Sequence, residues 1–463
     1  MGSKLSGKDL IKLGFPKNNA INIALGQISR YRKKEKKESV LKEAKGVLLE
    51  PSKYIGDGIW GKLAEGLIDP VEVSFQQLRN TRAPYSIFGE NEIEEEAKMQ
   101  LYSALKLPVA LAGALMPDAH AGYGLPIGGV LATENAVIPY GVGVDIGCRM
   151  SLSVFDLPST FIKGRESQLM GILSDHTKFG LNETQKIKTD HEIFSRKEFN
   201  EIPILQQNLD KAYKQLGSSG GGNHFVEFGI VRFSQNELIS MDTEKEYLAI
   251  LSHSGSRGLG ANIAKHYTYL AKKQCPLPKN VQHLAWLNLD THDGQEYWAA
   301  MNLAGDYAKA CHDDIHRRIS KALGKKSILK IENHHNFAWK ETVNGKECIV
   351  HRKGATPAAK GALGIIPGSM TAPGFIVVGK GNKESLESAS HGAGRLFSRG
   401  VCKESFTQNQ LANVLKKHDV SLIGGSIDES PMAYKDINKV MSLQQDLVEV
   451  IGTFSPKIVR MDR

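Results

Sequence analysis

The chain has 463 residues, 41% of them hydrophobic, with 46 Gly and 17 Pro, which is ample for a sizeable core in one large α/β domain or in two or three smaller ones. Lysine and arginine number 59 against 50 acidic residues, a formal charge of +9, a mild basic bias compatible with a polyanionic partner. The five cysteines (148, 275, 311, 348 and 402) form no CxxC pair and are odd in number, which argues against a disulfide framework and for a reducing, cytoplasmic compartment, and no run of eighteen apolar residues marks a membrane span.

In chain order, residues 1 to about 75 read as a basic, mostly helical segment. It carries no secretory pattern; MGSKLS matches the N-myristoylation pattern, a short motif that arises readily by coincidence. Ser6-Gly7-Lys8-Asp9 precedes an apolar-periodic run, and the basic stretch Arg30 to Lys37, RYRKKEKK, is either a solvated helix face or an arm for nucleic-acid phosphates, the solvated face being the simpler reading. Lys42 to Leu67 predicts a further short helix with glycine turns at its centre. Glu92 to Leu107 predicts an amphipathic helix with an acidic first turn. Residues 109–155 alternate short apolar runs with Gly, Pro and Asp, predicting strands joined by tight loops, and about 160–216 reads as helices with charged linkers. GSSGGGNHFVEFG is a glycine loop entering a strand; EYLAILSHSGSRGLG is a strand, a loop and then a helix from Ala261 to Lys272. Glu296 to Leu323 has helical spacing, SILKIENHHNFAWKE is a strand ending on histidines, and a charged, partly helical tail runs from Gln408.

The recurring form is a strand followed by a Gly-rich loop with His, Cys or Asp at its mouth. Asp145 and Cys148 sit in GVGVDIGC, His224 in GGNHF, His253 in SHSGSRG, and His334 or His335 in NHHNF. One carboxylate, one thiolate and three imidazoles suit a borderline divalent transition metal, with too few oxygens for calcium. Singly, the cysteine reads as a small buried hydrophobe and the aspartate as a turn cap; five such residues at strand–loop boundaries are harder to dismiss. In SASHGAGRLFSR, His391 is flanked by Gly392, Ala393 and Gly394 and followed by Arg395 and Arg399. Small residues admit a large ligand beside the imidazole, and the guanidinium forks suit phosphate.

With MPDAHAGYG, VGVDIGC, GGNHFVE, HSGSRGLG, HHNFAW, HRKGAT, PGSM, SHGAGR and SPMAYKDI, in that order from about Met116 to Lys435, the chain resembles the RtcB-type RNA ligases. The resemblance implies a single large α/β catalytic domain over residues 76–463, with mixed sheets and surrounding helices, distinct from a Rossmann domain. It implies a GTP- and manganese(II)-dependent joining of RNA 3′-phosphate or 2′,3′-cyclic phosphate ends to 5′-hydroxyl ends. By resemblance His391 takes GMP covalently, Cys148 bridges two manganese ions, Asp145 and His224 complete one ion's ligands, and His253 and His335 the other's. His335 is chosen over His334 because it directly precedes Asn336. Asn223, Glu227, Ser369, Met370 and Tyr434 are expected around the nucleotide, and Asp118 and His120 in an active-site loop. An archease-like activator is an implied partner. The chain departs from the family in its first seventy or so residues, in Ala121, and in its KIVRMDR ending, where a guanine-reading lysine is usual; Arg460 is the expected substitute. Arg257, Arg352, Lys353 and Arg395 are candidate holders of RNA or triphosphate oxygens. Two rivals stand beside the ligase: a metal-dependent phosphodiesterase or phosphatase, and a non-catalytic RNA-binding member of the fold.

Overall fold

A computed structural model describes residues 5–16, 19–33, 35–67, 76–181, 183–185 and 190–462, so the start of the MGSKLS match and Lys34 of the basic run lie outside the described residues. The chain divides into two compact units, residues 1–74 and 75–463.

The first unit is helical, with Gly7–Lys12, Asn19–Tyr31, Lys37–Leu49 and Gly61–Leu67. The Asp9 carboxylate accepts the Ser6 backbone N–H at 2.9 Å and closes the first turn. Leu10, Ala24, Val40, Ala44, Val47 and Leu63 are buried together, so the apolar periodicity makes a core of its own. Part of the basic run is built into this unit: Arg32 pairs with Glu43 at 3.1 Å and Lys37 with Asp9 at 2.9 Å, whereas Arg30, Lys33 and Lys36 are exposed.

The second unit is mixed α/β, as the motifs imply. Its larger sheet has eight strands. In spatial order seven of them are Leu363–Ile366, Gly374–Gly379, Val448–Met461, Phe225–Phe233, Glu246–Ser254, Arg149–Pro158 and Ser327–His334; Ser421–Ile423 pairs parallel with Val448–Met461. A second sheet orders Tyr85–Ile87, Ala110–His120, Ile127–Thr133, Lys346–Lys353 and Asn336–Val343. The chain passes between the sheets through His335, which separates Ser327–His334 from Asn336–Val343. The helix His292–Leu323 lies against one face of the larger sheet. The Thr291 hydroxyl accepts the Gly294 N–H at 3.2 Å to start it, and Gly324, with φ +64°, ends it. Its stripe Tyr297, Ala300, Met301, Ala304, Ala308, Cys311 and Ile315 is buried at helical spacing.

Several element boundaries differ from the expectation. The helix after the SHSGSRG loop begins at Arg257, four residues early, and runs to Gln274. The charged tail, helical over Gln408–Lys417, ends in a fourteen-residue strand, Val448–Met461, paired on both sides inside the larger sheet. Its alternation is masked because the register shifts between Pro456 and Ile458, so that one period-2 pattern becomes two out of phase.

Arg352, a candidate RNA contact on sequence grounds, is 1% exposed and structural. It gives both terminal nitrogens to Glu341, at 2.6 and 2.9 Å, and its Nε to Ser388 Oγ at 2.7 Å, fixing the strand Ser388–Ser390. Replacing one partner of a buried pair strands the other, so Arg352→Ala is expected to lower stability by about 3–5 kcal/mol in equilibrium denaturant unfolding. A loss under about 1 kcal/mol would contradict a structural role.

Candidate functional site

Sheet pairing sets four strand ends side by side. Phe225 and Met150 both register with His253, and Arg149 registers with His334. Cys148 and His224 immediately precede two of these strands, His253 is the penultimate residue of a third, and His335 follows the fourth. The His335 backbone N–H donates to the Cys148 carbonyl at 2.9 Å, and Asn336 Nδ2 to the Asp145 carbonyl at 3.3 Å, which locks these loops together. They open on one cavity of about 280 Å³.

Five donor groups converge there. Cys148 Sγ lies 3.1 Å from His253 Nε2 and 3.5 Å from His224 Nε2; His253 Nε2 lies 3.2 Å from His335 Nε2; His224 Nε2 lies 2.9 Å from Asp145 Oδ2. His253 Nδ1 is 2.9 Å from the Asn223 carbonyl, which can only accept. That bond places the proton on Nδ1 and leaves Nε2 a lone pair aimed at a sulfur and another imidazole. Burial holds His253 down at about 3 and His335 well below the usual imidazole range, so both rings stay neutral. Burial, with Asp145 beside it, pushes the Cys148 thiol well up. Neutral imidazoles, a carboxylate and a sulfur crowded at these distances fit a divalent transition metal, whose charge would bring the thiol down to thiolate. His334, the alternative histidine, faces away: its Nδ1 meets Arg149 Nη2 at 3.3 Å and its ring packs on Phe337 and Trp339.

His391 stands in the same cavity, its ring 5.0 Å from that of His335. Asp118, fully buried at the end of Ala110–His120, accepts from His391 Nδ1 at 2.7 Å and from the His391 backbone N–H at 3.1 Å. Nδ1 therefore carries the proton, and Nε2 keeps a lone pair. Burial drives the Asp118 carboxyl up, but its electrostatic interaction and hydrogen bond with the His391 ring outweigh it and hold it below the ordinary value. Gly394, at φ +72°, wraps so closely on Asp118 that a Cβ there would strike the Asp118 carbonyl. The sequence placed Asp118 only in an active-site loop; this hydrogen bond joins residues 273 apart in the chain.

The rest of the cavity suits a base and phosphates. Phe225, Met370, Phe454, Val459 and Met461 form an apolar wall, with Glu227 among them, its carboxyl pushed well above the usual range by burial. Asn223, Ser369, Gly392, Ala393, Gly394 and Tyr434 also line the cavity, as do Arg395 and Arg399. Arg395 reaches Glu429 at 3.3 Å and the Asp428 carbonyl at 2.6 Å; Arg399 reaches Asp428 at 2.7 Å, and Tyr434 bonds Glu429.

Three expected contacts fall elsewhere. Arg460 turns its back on the cavity, 3.2 Å from Ser174 Oγ on the opposite face, because the register shift after Pro456 brings Val459 and Met461 inward instead. Arg257 is buried and holds Ser218 Oγ and the Gly180 carbonyl, at 3.0 and 2.5 Å. Lys353 is buried and holds the Tyr123 and Leu125 carbonyls, at 2.6 and 2.9 Å.

Beneath His253, on the other face of its strand, lies a buried chain of serines and histidines. His312 Nε2 donates to the Ser254 carbonyl at 3.1 Å, the Ser252 hydroxyl to His312 Nδ1 at 2.6 Å, His316 Nε2 to Ser252 Oγ at 2.7 Å, and the Ser153 hydroxyl to His316 Nδ1 at 2.7 Å. With both imidazoles neutral, every link has one donor and one acceptor.

Comparison with known proteins gives the same neighbourhood. A family model described as tRNA-splicing ligase RtcB matches residues 100–202 and 196–462. The RNA-splicing ligase RtcB of Escherichia coli strain K12 is 35% identical over 423 residues, covering 82% of this chain and 98% of that protein. The tRNA-splicing ligase RtcB of Nanoarchaeum equitans is 29% identical over 451 residues, covering 81% of this chain and 94% of that protein. The RNA-splicing ligase RtcB homolog 1 of Entamoeba dispar is 29% identical over 437 residues, covering 78% and 81%. Among the described residues no helix is long and apolar enough to cross a membrane.

The buried histidines make stability acid-sensitive. Burial holds His316 at about 3 and His312 well below 6.5, so the unfolded chain binds protons that the folded chain does not. Stability should therefore fall as pH drops below about 6.5, by up to about 1.4 kcal/mol per pH unit for each such histidine. Denaturant midpoints at pH 7.5 and 5.5 check this; equal or higher stability at the lower pH would contradict it.

Proposed function

The chain belongs to the RtcB family, and from that membership we propose that it is an RNA ligase, dependent on GTP and manganese(II), that joins 3′-phosphate or 2′,3′-cyclic phosphate ends to 5′-hydroxyl ends through a guanylylated His391. One observation carries the reading: His391, its Nδ1 proton committed to buried Asp118, shares a cavity with the Cys148–His253–His335 cluster.

In this reading Asp145, Cys148 and His224 would hold one manganese ion and Cys148, His253 and His335 a second, supplying positive charge to a phosphate in the cavity. The His391 Nε2 lone pair attacks the α-phosphorus of GTP, the N–P bond forms, and the bond to the pyrophosphate oxygen breaks. Asp118 fixes the tautomer and offsets the positive charge the ring acquires. Arg395 and Arg399, tethered by Asp428 and Glu429, present guanidinium groups on the phosphate side. The GMP passes to the RNA 3′-phosphate oxygen, and the 5′-hydroxyl then displaces it with formation of the phosphodiester. A cyclic end must first be opened by water. The apolar wall takes the base, and with Arg460 turned away, Glu227 is the ionisable group left there to select guanine.

A metal-dependent phosphodiesterase acting on the same ends would need no guanylylated histidine, so a His391 held with its Nε2 lone pair in the cavity favours the ligase. The deciding experiment incubates the protein with manganese(II), GTP and RNA bearing 3′-phosphate and 5′-hydroxyl ends. Joined product that requires GTP is expected; end hydrolysis with no joining, or joining indifferent to GTP, would overturn the proposal. Metal content gives an activity-independent check. Cys148→Ala should lose most bound manganese at sub-stoichiometric competition with a chelator, since a shared ligand is removed. Occupancy equal to wild type would sink the two-ion arrangement.

A further inference from the structure

We propose that the loop between strands Ala110–His120 and Ile127–Thr133 holds out Tyr123 as a stacking platform for a nucleobase of the RNA strand close to its reacting end. This rests on the ligase reading and goes beyond it by assigning a second, aromatic subsite outside the nucleotide cavity.

The loop's two flanks, His120 and Ile127, both line that cavity. Tyr123 is three residues from His120, so its Cα lies at most about 11 Å away. The backbone of this loop is clamped. The Ala121 N–H donates to Glu94 Oε1 at 2.5 Å; Gln100 accepts the Gly122 N–H at 2.9 Å and donates to the Gly122 carbonyl at 2.8 Å; Lys353 Nζ donates to the Tyr123 carbonyl at 2.6 Å. Gly124 takes φ +75° and presses on His283, where a Cβ would come within 3.1 Å. On this fixed frame the Tyr123 side chain is left 69% exposed. A ring buried for stability would be turned in; a ring on a floppy loop would lose entropy when gripped. A rigid backbone with an open aromatic face avoids that loss.

The surroundings fit a base next to phosphates. The Tyr140 ring stands roughly perpendicular to that of Tyr123, with centroids 6.5 Å apart, and the His283 ring lies 5.9 Å away, so the Tyr123 ring has aromatic neighbours. Lys272 Nζ is 3.3 Å from His283 Nδ1, placing a lysine beside the aromatic group. Stacking on exposed rings is the sequence-tolerant way to hold a single strand.

The test measures the dissociation constant of a short 3′-phosphorylated RNA by fluorescence anisotropy, for wild type, Tyr123→Ala and Tyr123→Trp. Tyr123→Ala should weaken binding about tenfold, in the range for one stacked base, while Tyr123→Trp stays near wild type. The slope of affinity against salt should not change, because the ring carries no charge. RNA lacking a base at each of the last three positions in turn should locate the stacked one: at that position wild type and Tyr123→Ala bind alike. Equal affinity of wild type and Tyr123→Ala for intact RNA would overturn the inference, as would a tenfold loss that persists at every abasic position. GTP labelling of wild-type protein, run alongside, keeps the two proposals apart: label with no effect at Tyr123 removes only the platform, whereas no label and no joining removes the ligase reading itself.

Discussion

The hydrogen bond between Asp118 and His391 Nδ1, 2.7 Å long, is the contact on which the site's chemistry depends. A free imidazole can carry its proton on either nitrogen. Here a carboxylate with no exposure to water leaves one choice, and the other nitrogen keeps the lone pair that the proposed chemistry needs. The two residues lie on different parts of the fold, so much of the second unit serves to bring them together. The strand Ala110–His120 delivers Asp118 from the smaller sheet. Buried Arg352 pins Ser388 and so the short strand that leads into His391.

The fitness of the neighbouring cluster for a metal ion rests on similar proton commitments. Asn223 takes the Nδ1 proton of His253, and the lone pair left on Nε2 faces Cys148 and His335. Buried imidazole, thiol and carboxylate groups so arranged suit a divalent transition metal. Sheet pairing enforces that arrangement, since the registers that align Phe225, Met150 and His253 also fix where the strands stop. The neutral histidine–serine chain beneath Ser252 and Ser254 braces the same strand from behind.

The motifs carried most of this in the sequence. Each proposed ligand lay in a glycine-bearing or polar loop beside an apolar strand; of the two adjacent histidines, the His335 ring enters the cavity while that of His334 packs on Phe337 and Trp339. What was illegible depended on tertiary pairing. Asp118 has no local mark of its partnership with a residue 273 positions on. Arg460 looked well placed by its distance from the chain end, yet a register shift after Pro456 sends it to the opposite face. Arg257, Arg352 and Lys353 read as phosphate ligands by residue type alone; each is instead spent on carbonyls, hydroxyls or a carboxylate inside the fold. Charge identifies a candidate, and only burial decides whether it faces a substrate.

The most direct measurement is to map the covalent adduct. Wild type, His391→Ala and Asp118→Asn are incubated with radiolabelled GTP and manganese(II), denatured, and digested to peptides. Label is expected on the peptide containing His391, lost in acid and stable in alkali as a phosphoramidate, absent from His391→Ala, and formed far more slowly in Asp118→Asn, whose amide no longer holds the tautomer by charge. Label retained by His391→Ala, or formed at the wild-type rate in Asp118→Asn, would contradict a nucleophile set by that one hydrogen bond.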